Sequence, residues 1–318
     1  MFAFVNCKHH SPMGLFSSLL GGKKSSEEQQ KKDERRKFDV LKYDGVRARG
    51  MGQLPYAIKC FEEALALQAD GETMSFLAGA YLQANRMDEA RAVLERWVAT
   101  DAANVSGWLS LSQVCFLQED YERMAAAAAQ AIQADCRSAA AHYQAGKAAY
   151  HRNDCLQAVV MLTQAIALDE RYTEAYLLRA EVLWRMGQVK EALADLELLT
   201  RPEEPVEEAL LLKGEILSVT TDGEEGLACI DLALSLNPFC EKAYLLKGTL
   251  LLERRRTAEA LAVFDEAIEL MPENARMFEG RGRARLAAGD KTGALEDVKK
   301  AIELDPACAQ RIDGSFSR

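Results

Sequence analysis

The sequence predicts an all-α solenoid of eight helix-turn-helix units, and three observations lead there. A pattern thirty-four residues long recurs in phase from residue 38 to residue 308. Within each period apolar residues fall at spacings of three and four, which is the mark of amphipathic helices. Only seven prolines and 7% aromatic residues occur, as suits a chain that is helical throughout. A fixed period of this length is the signature of stacked repeats, in which no unit buries its own apolar face and its neighbours complete the core.

The pattern is clearest at Glu241 to Asn274, which the next thirty-four residues, Ala275 to Cys308, match position for position. Tyr244 answers to Phe278, Gly248 to Gly282, Ala260 to Ala294, Phe264 to Val298, Ala267 to Ala301 and Pro272 to Pro306. Small residues at Gly248 and Ala260 let two antiparallel helices approach, and Ala267 does the same against the following unit. Pro272 cannot sit in a helix interior but fits a first turn, so it marks the joint between units. This order of a large residue, Gly four on, two spaced alanines and Pro resembles the tetratricopeptide repeat. The resemblance implies a right-handed superhelix whose first helices line a concave wall.

Taken in order, residues 1–37 form an N-terminal tail unlike the rest. Cys7, His9 and His10 lie in a loose terminus without a closed ligand set, so no metal site is expected. Met13 is an alternative start, and from it Met13-Gly14-Leu15-Phe16-Ser17-Ser18 comes close to a myristoylation signal. Leu15 to Leu20 is a short apolar patch, and six residues are fewer than a membrane-lying face needs. The charge run Lys23 to Lys37 reads as a solvated helix or a disordered arm.

The repeats then run 38–70, 71–104, 105–138, 139–172, 173–206, 207–240, 241–274 and 275–308, the first with thirty-three residues. Met124 and Trp97 are large for alanine slots and predict locally looser or shifted packing in repeats two and three. Repeat five is cut short by Arg201-Pro202, and repeat six has Gly226 where alanine is expected, so a joint that flexes or changes pitch is predicted there. A short tail, 309–318, follows. With no polar capping helix after the last repeat, Leu295, Val298, Ile302 and Leu304 lack an obvious cover. A tail folded back, a self-association edge and tolerated exposure are the alternatives.

The chain carries a formal charge of −10. Residues 1–37 hold eight Lys/Arg and four Asp/Glu, leaving the body near −14, which argues against nucleic-acid partners. No apolar run approaches the roughly eighteen residues of a membrane span. The eight cysteines, at 7, 60, 115, 136, 155, 229, 240 and 308, contain no C-x-x-C pair. They read as buried thiols of a reducing, cytoplasmic compartment.

An enzyme is not expected. His142 takes the large-residue slot of its repeat. His151 and Cys155 flank a turn with no third residue to orient the imidazole. No phosphate-cradling glycine motif occurs, and no cofactor is expected. A protein or peptide partner is. Carried over from the family, the concave wall holds Leu109, Ser110, Gln113 and Phe116, then Tyr143, Gln144, Lys147, Tyr150 and His151. It continues through Leu177, Glu181, Trp184 and Arg185 to Leu211 and Glu215. Rings beside a few polar groups suit an extended peptide or a partner helix, although packing alone also places aromatics there.

One subclass of the family holds acidic chaperone tails in a Lys/Asn/Arg clamp. Val46 beside Lys42, Phe76, Tyr143 beside Lys147, and Leu178 break that pattern here. Arg276, Arg281, Arg283 and Arg285, with Arg254 to Arg256 in the preceding turn, form a basic strip that suits an acidic ligand and equally suits ordinary exposed surface.

Overall fold

A computed structural model describes residues 17–221 and 223–309, with side chains from residue 28 onward. The cysteine and histidines near the terminus, the Met13 signal, the side chains of the Leu15–Leu20 patch and the tail beyond 309 lie outside the described residues. Among those residues there are sixteen α-helices and no strand. None of the helices is long and apolar enough to cross a membrane. The chain divides between Ala148 and Ala149 into two compact bodies.

The first body contains α1 (Ser17–Gly50), α2 (Leu54–Leu67), α3 (Gly71–Gln83), α4 (Met87–Thr100), α5 (Val105–Leu117) and α6 (Tyr121–Ala134). It ends within α7 (Ala139–His151). The charge run is helical: α1 is exposed on every side from residue 28 to 37, and Phe38 is the first buried side chain among those described. Phe61, Met74, Leu77, Tyr81, Leu94, Leu111 and Met124 form the core. Each such side chain taken out of water contributes about 1.5–3 kcal/mol.

Of the two alternatives at Trp97 and Met124, the structure does not show the looser packing. Trp97 is 7% exposed and Met124 fully buried, because neighbouring residues shrink to receive them. A Cβ at Gly71 would stand 2.4 Å from Trp97 Nε1, and one at Gly107 would stand 3.3 Å from its Cδ2. Two glycines therefore hold the space that the indole fills. Beside Met124, the Ser112 hydroxyl donates to the Met124 carbonyl at 3.2 Å, tying α5 to α6.

The second body continues through α8 (Cys155–Leu168), α9 (Thr173–Arg185), α10 (Val189–Leu199), α11 (Glu207–Thr220) and α12 (Glu224–Leu236). It ends with α13 (Glu241–Glu253), α14 (Thr257–Leu270), α15 (Ala275–Ala287) and α16 (Lys291–Leu304). Its core runs through Leu196, Ile216, Ile230, Tyr244, Leu251, Phe264 and Met277.

Helix starts and turns follow local chemistry. Asp70, Asn104, Asp120, Asp154, Asn274 and Asp290 each accept a backbone N–H of the first turn, satisfying donors that a helix start leaves open. Between the two helices of a pair, one residue adopts the left-handed region. It is Gly52, Asn85, Glu119, Asn153, Gly187, Arg255 or Gly289. Repeat six departs: its left-handed residue is displaced to Gly223, over which the Arg254 guanidinium lies while donating to the Ser218 carbonyl at 2.6 Å.

The irregular stretch is not uniformly loose either. α10 has eleven residues, fewer than any other helix described here. At Gly226, however, α11 and α12 meet backbone to backbone. A Cβ there would stand 2.6 Å from the Gly214 carbonyl oxygen and 2.9 Å from Ser218 N. The glycine is the condition for that close approach.

At the last pair, Val298, Ile302 and Leu304 are half-buried against Ala275, Phe278, Ala301 and the fully buried Cys308. Of the three alternatives, this contact fits a chain folded back, with Cys308 against them. Leu295, at 55% exposure, remains open.

Two stability measurements test these readings. Gly226→Ala, which restores the residue the repeat pattern expects, should lower stability by about 1–3 kcal/mol in urea unfolding because it overpacks a backbone contact. Arg255→Gly should raise stability by about 0.5 kcal/mol in the same assay, since it relieves a left-handed arginine at an exposed turn.

Candidate functional site

The residues expected to form the wall divide between the two bodies. In the first, α5 supplies Leu109, Gln113 and Phe116, and α7 supplies Tyr143, Gln144 and Lys147; all six are half-buried. Gln144 Nε2 donates to Gln113 Oε1 at 3.4 Å. Lys147 Nζ lies 3.5 Å from the centre of the Phe116 ring, and burial holds its pKa below the usual lysine range. α5 has no Asp, Glu, Lys or Arg, and α7 has only Lys147.

The second body carries Tyr150, Leu177, Glu181, Trp184 and Arg185. The Tyr150 hydroxyl donates to Glu181 Oε1 at 2.5 Å. That bond, with burial and the carboxylate's charge, pushes the phenol's pKa up. The Arg185 guanidinium lies 5.7 Å from the Tyr150 ring centre and donates to Asn153 Oδ1 at 2.6 Å. Leu177 and Trp184 rest on the cluster of Leu183, Leu196 and Ile216 with part of each ring or chain left open.

The contacts share one register. Gln113 with Gln144, and Tyr150 with Glu181, are thirty-one residues apart; Phe116 and Lys147 keep the same spacing. This is one period less a helical turn, so a ring late in one first helix meets a polar group one turn earlier in the next. Leu211, placed on the wall by the family pattern, is buried and belongs to the core. His142 is buried, its Nε2 lies 3.1 Å from the Cys136 carbonyl oxygen, and its Nδ1 is sealed without a partner. The His151 ring stands edge-on to Tyr150 at 5.2 Å. Among the described residues no group of three or more His, Cys, Asp or Glu is placed to hold a metal.

Six of the seven arginines in the expected basic strip have partners within the protein. Arg281 makes paired bonds to Asp297 at 3.0 and 2.7 Å and reaches Asp265 at 2.7 Å. Arg285 lies 3.0 Å from Asp297, Arg283 2.9 Å from Glu279, and Arg276 2.8 Å from Glu241. Arg256 lies between Glu224 and Glu259, and Arg254 is spent on backbone carbonyls.

Sequence reasoning missed this buried charge. Asp195 and Asp297 are nearly inaccessible, and each is held by an arginine sixteen residues earlier, Arg179 and Arg281. The repeated Arg–Asp spacing was the available signal.

Comparison with known proteins places this geometry. Two family models described as tetratricopeptide repeat match the chain, one at residues 143–205, 220–272 and 245–307, the other at 48–113. A tetratricopeptide repeat protein from Parabacteroides merdae superimposes with a TM-score of 0.57 at 16% identity, covering 74% of this chain and 93% of its own. Pseudomonas aeruginosa pilF gives 0.54 at 16% identity, covering 66% and 96%. The Cut9-Hcn1 hetero-tetramer of the APC/C gives 0.54 at 11% identity, covering 80% of this chain and 50% of that one. These likenesses concern the fold. No curated protein matches the chain.

Proposed function

Because this chain belongs to the tetratricopeptide repeat family, we propose that it is a non-enzymatic scaffold that holds a protein or peptide segment on its first-helix faces. The coarse part follows from the family, whose members are protein-interaction modules. The finer part rests on one observation: consecutive first helices offer half-buried rings beside amide, ammonium and carboxylate groups. Rigid aromatic area flanked by a few polar groups is the composition from which binding energy is usually drawn. An extended segment would lay alternate side chains against such rings, and an amphipathic helix would lay its apolar stripe there.

Capture from native extract tests this reading, comparing wild type with a Tyr150→Ala/Trp184→Ala variant shown to be folded. A partner retained by wild type, lost by the variant and cross-linked to α7 or α9 is the expected result. Identical captured sets would mean that the rings are packing residues and the proposal fails.

A second reading is association between copies through the last helix pair. It draws support from Leu286 and Leu295, which are 40% and 55% exposed there, since open apolar patches mark contacts; Val298, Ile302 and Leu304 would contribute only their uncovered sides. Sedimentation should then show a concentration-dependent dimer that Leu295→Glu abolishes. A monomer at every concentration sinks it.

A further inference from the structure

Trp97 brings a hydrogen-bond donor to a position that holds alanine in six of the eight repeats. Filling the space between Gly71 and Gly107 requires a ring but no N–H. A buried indole N–H usually finds a partner, and the neighbouring Trp108 conforms, donating from Nε1 to the Ala102 carbonyl at 2.9 Å. The Trp97 side chain is 7% exposed, yet among the described residues its Nε1 donates to no group and is not sealed off. Trp97 lines a cavity of about 460 Å³ at the edge where α2 runs into α3 and α4 into α5, with Asp70, Gly71, Glu72, Asp101 and Asn104 around it. Gly71 leaves the donor open, since a Cβ there would stand 2.4 Å from Nε1.

The other polar groups of this cavity are largely spent on one another. Asp70 accepts the Thr73 N–H at 2.9 Å and its hydroxyl at 2.6 Å, and takes Lys42 Nζ at 3.0 Å. The same ammonium lies 2.5 Å from Glu72. Asn104 donates to Asp101 at 3.2 Å and accepts the Gly107 N–H at 2.9 Å. Asp101 therefore has a neutral amide and, among the described residues, no cation. It follows Trp97 by one helical turn, about 6 Å along the axis, which an extended peptide spans in about two residues.

We propose that this edge cavity binds a basic peptide segment, whose main-chain carbonyl accepts the Trp97 indole N–H and whose Lys or Arg side chain pairs with Asp101. The two open groups call for opposite partners, an acceptor and a cation, and a peptide carries both at that spacing. An anionic ligand would satisfy the indole but meet Asp70, Glu72 and Asp101, with Lys42 alone set against them. The negative charge of the repeats adds long-range attraction for a basic segment. The cavity lies within the first body and uses none of the first-helix wall residues, so it stands independently of the wall.

The test follows the indole N–H resonances of the isotope-labelled full chain during titration with acetylated, amidated pentapeptide pools whose central residue is Lys, Arg or norleucine. Trp97→Phe assigns the Trp97 signal by its loss. That signal should move saturably, with the Lys and Arg pools binding about threefold more tightly than the norleucine pool. Asp101→Asn, a change at an exposed side chain, should bring the ratio to about one while the signal still moves. Calorimetry of Trp97→Phe should show affinity for the Lys pool reduced about fivefold. A Trp97 response that persists in Tyr150→Ala/Trp184→Ala would support a site separate from the wall.

An unmoved Trp97 signal would mean a cavity that holds water only, and it overturns the proposal. Equal responses to the Lys and norleucine pools overturn it too, as does a preference that survives in a folded Asp101→Asn. A response confined to the Trp184 signal would place the peptide on the wall and overturn the edge site.

Discussion

A helix pair that cannot close its own core must hand an apolar face to the next pair, and most features of this chain follow from that requirement. The handover works only where side chains are small enough for helices to come close. Phe264 shows the arrangement well: its ring fills the space left by Gly248 in its own pair and by Gly280 in the next, where added Cβ atoms would lie 2.2 and 2.3 Å from ring carbons. One buried ring thus serves two interfaces. The same economy places Trp97 between Gly71 and Gly107. Large and small residues are exchanged across an interface while its total volume is kept, which is what a densely packed interior tolerates.

Charge is handled with equal economy. Buried Asp195 and Asp297 would each be costly alone, and each meets a two-pronged arginine. An ion pair of this kind adds little net stability, but removing one partner strands the other, so it commits the helices to one register. Arg281, one of the arginines of the basic strip, is engaged in this way. Gln113 and Gln144, which bond each other, and Lys147 on the Phe116 ring are held without a carboxylate.

The wall was legible as a set of positions but not as a set of contacts. Phe116, Tyr150 and Trp184 recur at one place in successive repeats, so their alignment follows from the period. That Tyr150 bonds Glu181 while Phe116 supports Lys147 depends on which polar side chain the neighbouring repeat places one turn earlier. Leu211 occupies a wall position by the same rule and is nevertheless buried. In the last repeat, Val298, Ile302 and Leu304 looked uncovered because the four residues from Asp305 to Cys308 are too short to announce a turn that folds back.

By itself the sequence determined the helical class, the thirty-four-residue period and the alternation of large and small slots. Those properties are local or periodic, and they survive projection onto one dimension. Only the tertiary structure decided how exceptions are absorbed. Trp97 is matched by two glycines, Gly226 permits a backbone contact that alanine would block, and the terminal arginines are neutralised by carboxylates from neighbouring helices. Each of these depends on a pair of residues brought together across an interface, and no position read alone carries that information.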